Sequence, residues 1–162
     1  MPFSLSTIRI ELGPESFIRQ AEPDDLPSVL AVLSQMHEDE PTLSVTPANR
    51  ATFQRILDRE WRVLLVVESS GRVIGTLDLF LLENLTRDGR PWAGVENFVV
   101  DKDFRRKGIG RQLLDAAISI ARSAGCYKVQ LISHESRHAA HALYTQAGFT
   151  AHVRGYRYYL DR

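Results

Sequence analysis

Cysteine is nearly absent from these 162 residues, since Cys126 stands alone. A single thiol makes no internal disulfide and no thiolate zinc cage, which excludes disulfide-stapled scaffolds and zinc fingers. Long apolar runs are missing as well. The longest uncharged apolar stretch, residues 63–67, is far short of the roughly 20 residues that cross a bilayer, so no membrane span is expected. The opening Met-Pro-Phe-Ser-Leu-Ser has no basic start leading into an apolar stretch, and a secretory leader is not expected. Net charge is also lacking. Twenty Lys and Arg balance twenty Asp and Glu, so no global basic field points to nucleic acid or anionic lipid. A soluble, cytoplasmic protein is the expectation.

What is present is ordinary for a globular chain: 44% apolar and 25% charged residues. The length suits one sizeable core. We expect a short N-terminal extension over 1–15 and a single domain over 16–162. The neutral total conceals an asymmetry. Residues 1–81 carry 7 Arg and no Lys against 12 acidic residues, and residues 82–162 carry 13 basic residues against 8 acidic ones. Opposite ligand charges in the two halves, or simple intramolecular attraction, both account for that.

Periodicity predicts a mixed α/β chain. Residues 7–12 read as an extra strand ended by Gly13-Pro14, and 17–21 as a first core strand. A helix capped by Asp24 or Asp25 runs to about Met36, followed by an acidic loop through Glu38, Asp39 and Glu40. A second helix starts at Thr46-Pro47 and runs to about Glu60. Residues 62–68 and 73–82 form a hairpin across Ser69-Ser70-Gly71. Residues 92–100 make a fourth core strand. A helix opens at Gly108 and ends at Gly125, and 129–132 is a fifth core strand. Residues 136–147 form a helix closed by Gly148, and 149–152 and 156–160 read as two last strands.

Chemistry concentrates in Val99-Val100-Asp101-Lys102-Asp103-Phe104-Arg105-Arg106-Lys107-Gly108-Ile109-Gly110. A strand enters a basic turn, two glycines follow, and a helix begins. The first N–H groups of a helix lack internal partners and lie at the positive end of its dipole. Glycine lets the backbone approach an anion closely, so the segment suits a phosphate. It is not a P-loop, because no Lys-Ser or Lys-Thr follows the second glycine. Nor is it the G-x-G-x-x-G dinucleotide fingerprint, whose third small residue and distal acid are out of register here.

The spacing Arg105-x-x-Gly108-x-Gly110 resembles the acetyl-CoA motif of the GNAT acetyltransferase superfamily. A second mark of that superfamily, Tyr-x-x-x-Gly-Phe, is matched by Tyr144, Gly148 and Phe149. The likeness extends over residues 16–160. It implies a mixed, mostly antiparallel sheet flanked by four helices, with the fourth and fifth core strands splayed. It implies that backbone N–H groups from Arg106 through Arg111, including Lys107 and Ile109, hold the pyrophosphate of acetyl-CoA. Main-chain groups of Phe98 and Val100 would pair with its pantetheine arm, and an N–H near Val99 would meet the oxyanion. No metal is expected, and the partner would be a small-molecule amine. Members of this superfamily often dimerise, so a homodimer is an option.

Acetyl transfer to an amine needs the amine deprotonated, the oxyanion stabilised and the departing thiolate protonated. A free alkyl ammonium has a pKa of about 10, so a nearby base helps. Glu96 is the base candidate by its place in the fourth core strand. Its other reading is an acid on the exposed sheet face or a partner for an Arg, and a bulge common in this strand leaves its direction open. Tyr144 is the acid candidate by its motif, its other reading being a core aromatic. Arg137 stands where related sequences often carry Asn. It contacts CoA or an anion on the acceptor, or it is an exposed capping-turn residue. The Arg-His-x-Ala-His run beginning at Arg137 resembles a subset that includes aminoalkylphosphonate acetyltransferases.

His134, His138, His141 and His152 fall close together in sequence, but no acidic or Cys ligand completes a metal set. The acidic loop is a candidate attractor of a cationic amine, and Trp92 and Tyr156 are candidate pocket walls. Solvation and packing are the plain alternatives. Two other functions fit some of these features: a non-catalytic acyl-CoA-binding or regulatory module, and a peptide or protein N-acetyltransferase. A nucleic-acid module using residues 102–107 is disfavoured by the zero net charge and the lack of interleaved aromatics.

Overall fold

A computed structural model describes residues 8–36 and 41–160 of the chain, which divides into two compact units, Met1–Leu131 and Ile132–Arg162. The first holds six strands: β1 (Arg9–Gly13), β2 (Ser16–Gln20), β3 (Arg62–Ser69), β4 (Arg72–Leu82), β5 (Trp92–Val100) and β6 (Val129–Leu131). It also holds α1 (Leu26–Leu33), α2 (Pro47–Leu57) and α3 (Ile109–Ser123). The strands form one sheet in sequence order, antiparallel throughout except for the parallel β5–β6 pair. Strand β1, inside the segment read as an N-terminal extension, pairs with β2 at the sheet edge.

Local chemistry explains most element ends. Ser70 and Gly71, at φ +49° and +75°, make the two-residue turn between β3 and β4, because positive φ at both positions matches the twist of paired strands. At the start of α2 the Thr46 hydroxyl accepts from the Asn49 N–H at 3.2 Å, and the Asn49 side chain accepts from the Thr46 N–H at 2.8 Å. Pro47 follows, so the expected start holds, although the helix stops at Leu57. Helix α1 is shorter than its apolar pattern suggested: a 3-10 turn over Pro23–Asp25 precedes it.

Cross-strand register sorts the residues of the sheet by face. Leu64, Val66 and Val99 pack with Leu26, Val29 and Leu30 of α1 and Phe53 of α2. The alternate set, including Leu65, Leu77, Leu79 and Ala93, is fully buried, as are Leu113, Leu114 and Ala117 of α3. Each fully buried Leu contributes about 2 kcal/mol of transfer free energy. These two layers hold β4 and β5 rigidly, and the candidate site is built on them.

The second unit contains α4 (His138–Gln146). Its end is a Schellman cap: Gly148 has φ +93°, its N–H donates to the Thr145 carbonyl, and the Phe149 N–H donates to the Tyr144 carbonyl, both at 3.0 Å. The two last strands expected over 149–152 and 156–160 are not formed, and this is a correction. Tyr156, Tyr158 and Leu160 are exposed, and the segment makes no ladder. Alternating apolar residues favour a strand only where a neighbouring strand pairs with the backbone.

Candidate active site

The basic turn is built from its buried end outward. Asp101 follows β5, and its carboxylate is almost wholly buried. It accepts from the Asp103 N–H at 3.0 Å and from Arg72 at 2.6 Å, and its own N–H donates to the Ile74 carbonyl. This fixes where the chain leaves the sheet. Sequence reading missed Asp101 as a positioning group, although an Asp one step before a turn is a signal for such a side-chain cap. Arg105 then donates from Nε to the Val100 carbonyl at 2.9 Å, and Lys107 donates to the Asp103 carbonyl at 3.1 Å. These two cations brace the turn while remaining exposed.

Arg106 at φ +61° and Gly108 at φ +80° turn the backbone into the left-handed region just before α3. No side chain caps the helix there. A Cβ built on Gly108 would meet no other atom within 4 Å, so internal packing does not demand glycine. The left-handed backbone conformation does. The first turn of α3, from half-buried Ile109 and Gly110, begins beside exposed Arg105, Arg106 and Lys107. Such a helix start fits a diphosphate through backbone donors, the helix dipole and formal charge together.

On β5, Glu96 pairs with Asp78 and Val99 with Thr76, so two residues of β5, Asn97 and Phe98, oppose Leu77 alone. Asn97 sits at φ +50°. That is the bulge expected in this strand, and the register settles the open question about Glu96: it lies on the α1–α2 face and is exposed. The β5–β6 ladder runs only from Ala93 to Val95 on β5. Glu96 through Val100 continue past its last pair, as splayed strands require.

Beside Glu96 the same face carries residues that sequence reading did not single out. Arg62 forks onto the buried Asp78 carboxylate, one bond at 2.8 Å and a second, shorter contact. Its guanidinium also lies over the Phe80 ring at 4.7 Å, and Trp61 stacks on Phe80 at 6.1 Å. Their only signal lay in strand register, which couples positions far apart in sequence.

In the second unit, Tyr144 is buried and its ring packs at 6.1 Å from that of Phe149. Arg137 stands at the N-cap of α4 and is exposed. His134 bonds Ser136 at 2.8 Å, and the rings of His138 and His141 meet edge-on at 6.3 Å. Among the described residues no three His, Cys, Asp or Glu side chains gather to hold a metal ion, and no helix is long and apolar enough to cross a membrane. Burial pushes the Cys126 thiol up from its ordinary value, with nearby Arg90 opposing it, so Cys126 is no poised nucleophile. The acidic loop at Glu38, Asp39 and Glu40 lies outside the described residues.

Comparison with known proteins agrees with this geometry. Residues 30–149 match the model of the Acetyltransferase (GNAT) family. The chain is 35% identical over 140 residues to a glucosamine 6-phosphate N-acetyltransferase of Trypanosoma brucei brucei, covering 86% of this chain and 92% of that protein. It is 28% identical over 142 residues to the aminoalkylphosphonate N-acetyltransferase of Salmonella typhimurium, covering 87% and 89% of the two chains. A crystal structure of a Trypanosoma brucei acetyltransferase superposes with a TM-score of 0.78 at 32% identity, over 90% of this chain and 100% of that one. With the mixed sheet, the bulged and splayed β5 and the open start of α3, these matches show that the chain is an N-acetyltransferase and belongs to the GNAT family.

Proposed function

We propose that the protein transfers an acetyl group from acetyl-CoA to the primary amine of a small molecule, by direct attack within a ternary complex. The observation that carries this reading is the start of α3, where Gly108 at φ +80° enters the helix with no side-chain cap beside three exposed cations. Bound there, acetyl-CoA supplies an activated acetyl thioester.

The chain's own groups do the rest. Main-chain donors from Arg106 through Arg111 hold the diphosphate, and main-chain groups of Phe98 and Val100 align the pantetheine arm along β5. An N–H at or beside Val99 stabilises negative charge on the acetyl oxygen. Glu96, exposed on β5, takes the proton from the acceptor ammonium. Tyr144 is assigned as the acid by its motif: a phenol of pKa about 10 holds its proton at neutral pH and can give it to a thiolate. Arg137 is assigned an anion on CoA or on the acceptor.

A thiol-release assay over an amine panel tests the reading. Turnover of at least one primary amine is expected, with Glu96→Gln and Tyr144→Phe each slowing it. Measured acetyl-CoA binding with no amine turned over would point instead to an acyl-CoA-binding module.

A further inference from the structure

We propose that Gln35, just past the end of α1, is a positioning residue for acetyl-CoA: its side-chain carbonyl holds the turn after β5 where the diphosphate is received. The proposal rests on the acetyl-CoA reading above and deepens it, by naming a residue far outside the Arg-x-x-Gly-x-Gly segment that sets the affinity of that segment.

The turn begins as a 3-10 helix over Lys102–Phe104. The first N–H groups of such a helix have no partner within it. Asp101 supplies one acceptor, to the Asp103 N–H. Gln35 supplies another: its Oε1 accepts from the Lys102 N–H at 2.8 Å, across 67 positions of sequence. The bonds from the Phe104 N–H to the Asp101 carbonyl, from Arg105 Nε to the Val100 carbonyl and from Lys107 to the Asp103 carbonyl all stay within residues 100–107. Those bonds set the turn's own shape. The Gln35 bond sets where that shape stands against the helix layer.

The support behind Gln35 is firm. Helix α1 buries Leu26, Val29, Leu30 and Val32 in the core cluster that also holds Val99 of β5. Its end is tied down by the Ser34 N–H on the Leu30 carbonyl at 2.9 Å and the Gln35 N–H on the Val32 carbonyl at 3.1 Å. The Ser34 hydroxyl donates to the Leu30 carbonyl and accepts from the Leu43 N–H, both at 2.8 Å. Gln35 is half-buried, whereas Lys102 is exposed. Water can therefore replace a lost acceptor on the Lys102 N–H, and the bond does not serve to satisfy a buried donor. Its contribution is preorganisation. Without it the turn samples other positions, and the apparent Kd rises by the fraction that is no longer receptive. Once a diphosphate is seated, the ligand itself holds the turn, so the chemical step does not depend on Gln35.

The experiment uses the full chain, with acetyl-CoA titrated calorimetrically and steady-state kinetics on an amine that the panel above turns over. Gln35→Met keeps the length of the side chain and lacks the acceptor. Gln35→Glu keeps an acceptor at the same reach. Gln35→Met is expected to weaken acetyl-CoA binding about fivefold, the scale of one net hydrogen bond, and to raise KM for acetyl-CoA to match, with kcat within about twofold of wild type. Gln35→Glu is expected to bind acetyl-CoA within about twofold of wild type, and both variants to keep the melting temperature. Unchanged affinity in Gln35→Met, a Gln35→Glu as weak as Gln35→Met, or a loss that falls on kcat and not on KM overturns this proposal and leaves the acetyl-CoA reading standing. No acetyl-CoA binding by the wild-type chain overturns both.

Discussion

Two side chains, Glu96 and Tyr144, are assigned the proton transfers, and each can be separated from its structural role. Tyr144 is the C3 residue of the Schellman cap of α4 and touches Phe149 at C″, so much of the Tyr-x-x-x-Gly-Phe pattern is a helix stop with its usual apolar contact. Tyr144→Phe keeps that ring contact and removes only the hydroxyl. Its kcat should fall about 100-fold or more, within the range for losing a general acid, with acetyl-CoA affinity retained. Steady-state kinetics and a binding titration measure the two quantities, and an unchanged kcat would return Tyr144 to the core. Glu96→Gln should also lose about 100-fold near neutral pH. Raising the pH towards the amine's own pKa of about 10 supplies deprotonated acceptor, so the gap to wild type should narrow there. The residue type and position of Glu96 were legible in the sequence. Its direction was not, because the bulge at Asn97 and Phe98 breaks the alternation that would have given it.

Among the elements, the turn into α3 was the most legible, since every part of it is local: the strand before, the cations, the glycines and the helix period. Gly108 combines two demands that variants can separate. At φ +80° a β-branched residue is strained, so Gly108→Val should cost about 1–2 kcal/mol of stability. Asn tolerates the left-handed region, so Gly108→Asn should cost less than about 1 kcal/mol. Both place atoms in the open space above the helix start and should weaken acetyl-CoA binding about tenfold or more, which urea melts and calorimetry together resolve. Retained affinity in both variants would remove the diphosphate from this turn. The elements that sequence misjudged depend on distant partners. Residues 156–160 alternate as a strand should, yet no ladder forms, because pairing depends on another strand's backbone. The sheet face around Glu96 was opaque for the same reason: Arg62, Asp78, Phe80 and Glu96 converge only through the β3–β4–β5 register.

At the scale of the molecule, the even count of charges conceals specific burial. Arg19 on β2 binds Asp25, before α1, through two bonds of 2.6 and 2.8 Å, and Glu68 on β3 at 2.8 Å. The cluster ties β2 and β3 to the segment that leads into α1. Burial opposes ionisation of Asp25, but the hydrogen bonds from Arg19 and from the Glu22 N–H, with the charge of Arg19, outweigh it and hold the carboxyl below its ordinary value. A carboxyl depressed in the folded state binds protons more readily when unfolded. Its contribution is therefore complete above the ordinary carboxylate pKa of about 3.9 and is lost as pH falls through the lower folded value. Asp25→Asn removes the charge that faces Arg19 and should cost about 2–3 kcal/mol at pH 7, less than a wholly buried pair because both side chains keep some exposure. The cost should shrink steadily below about pH 4, where the wild-type carboxylate also becomes neutral. Urea midpoints of the two proteins from pH 7 to pH 2.5 measure the difference. A difference that stays constant over that range would mean that the charge on Asp25 contributes nothing and only its hydrogen-bonding shape matters.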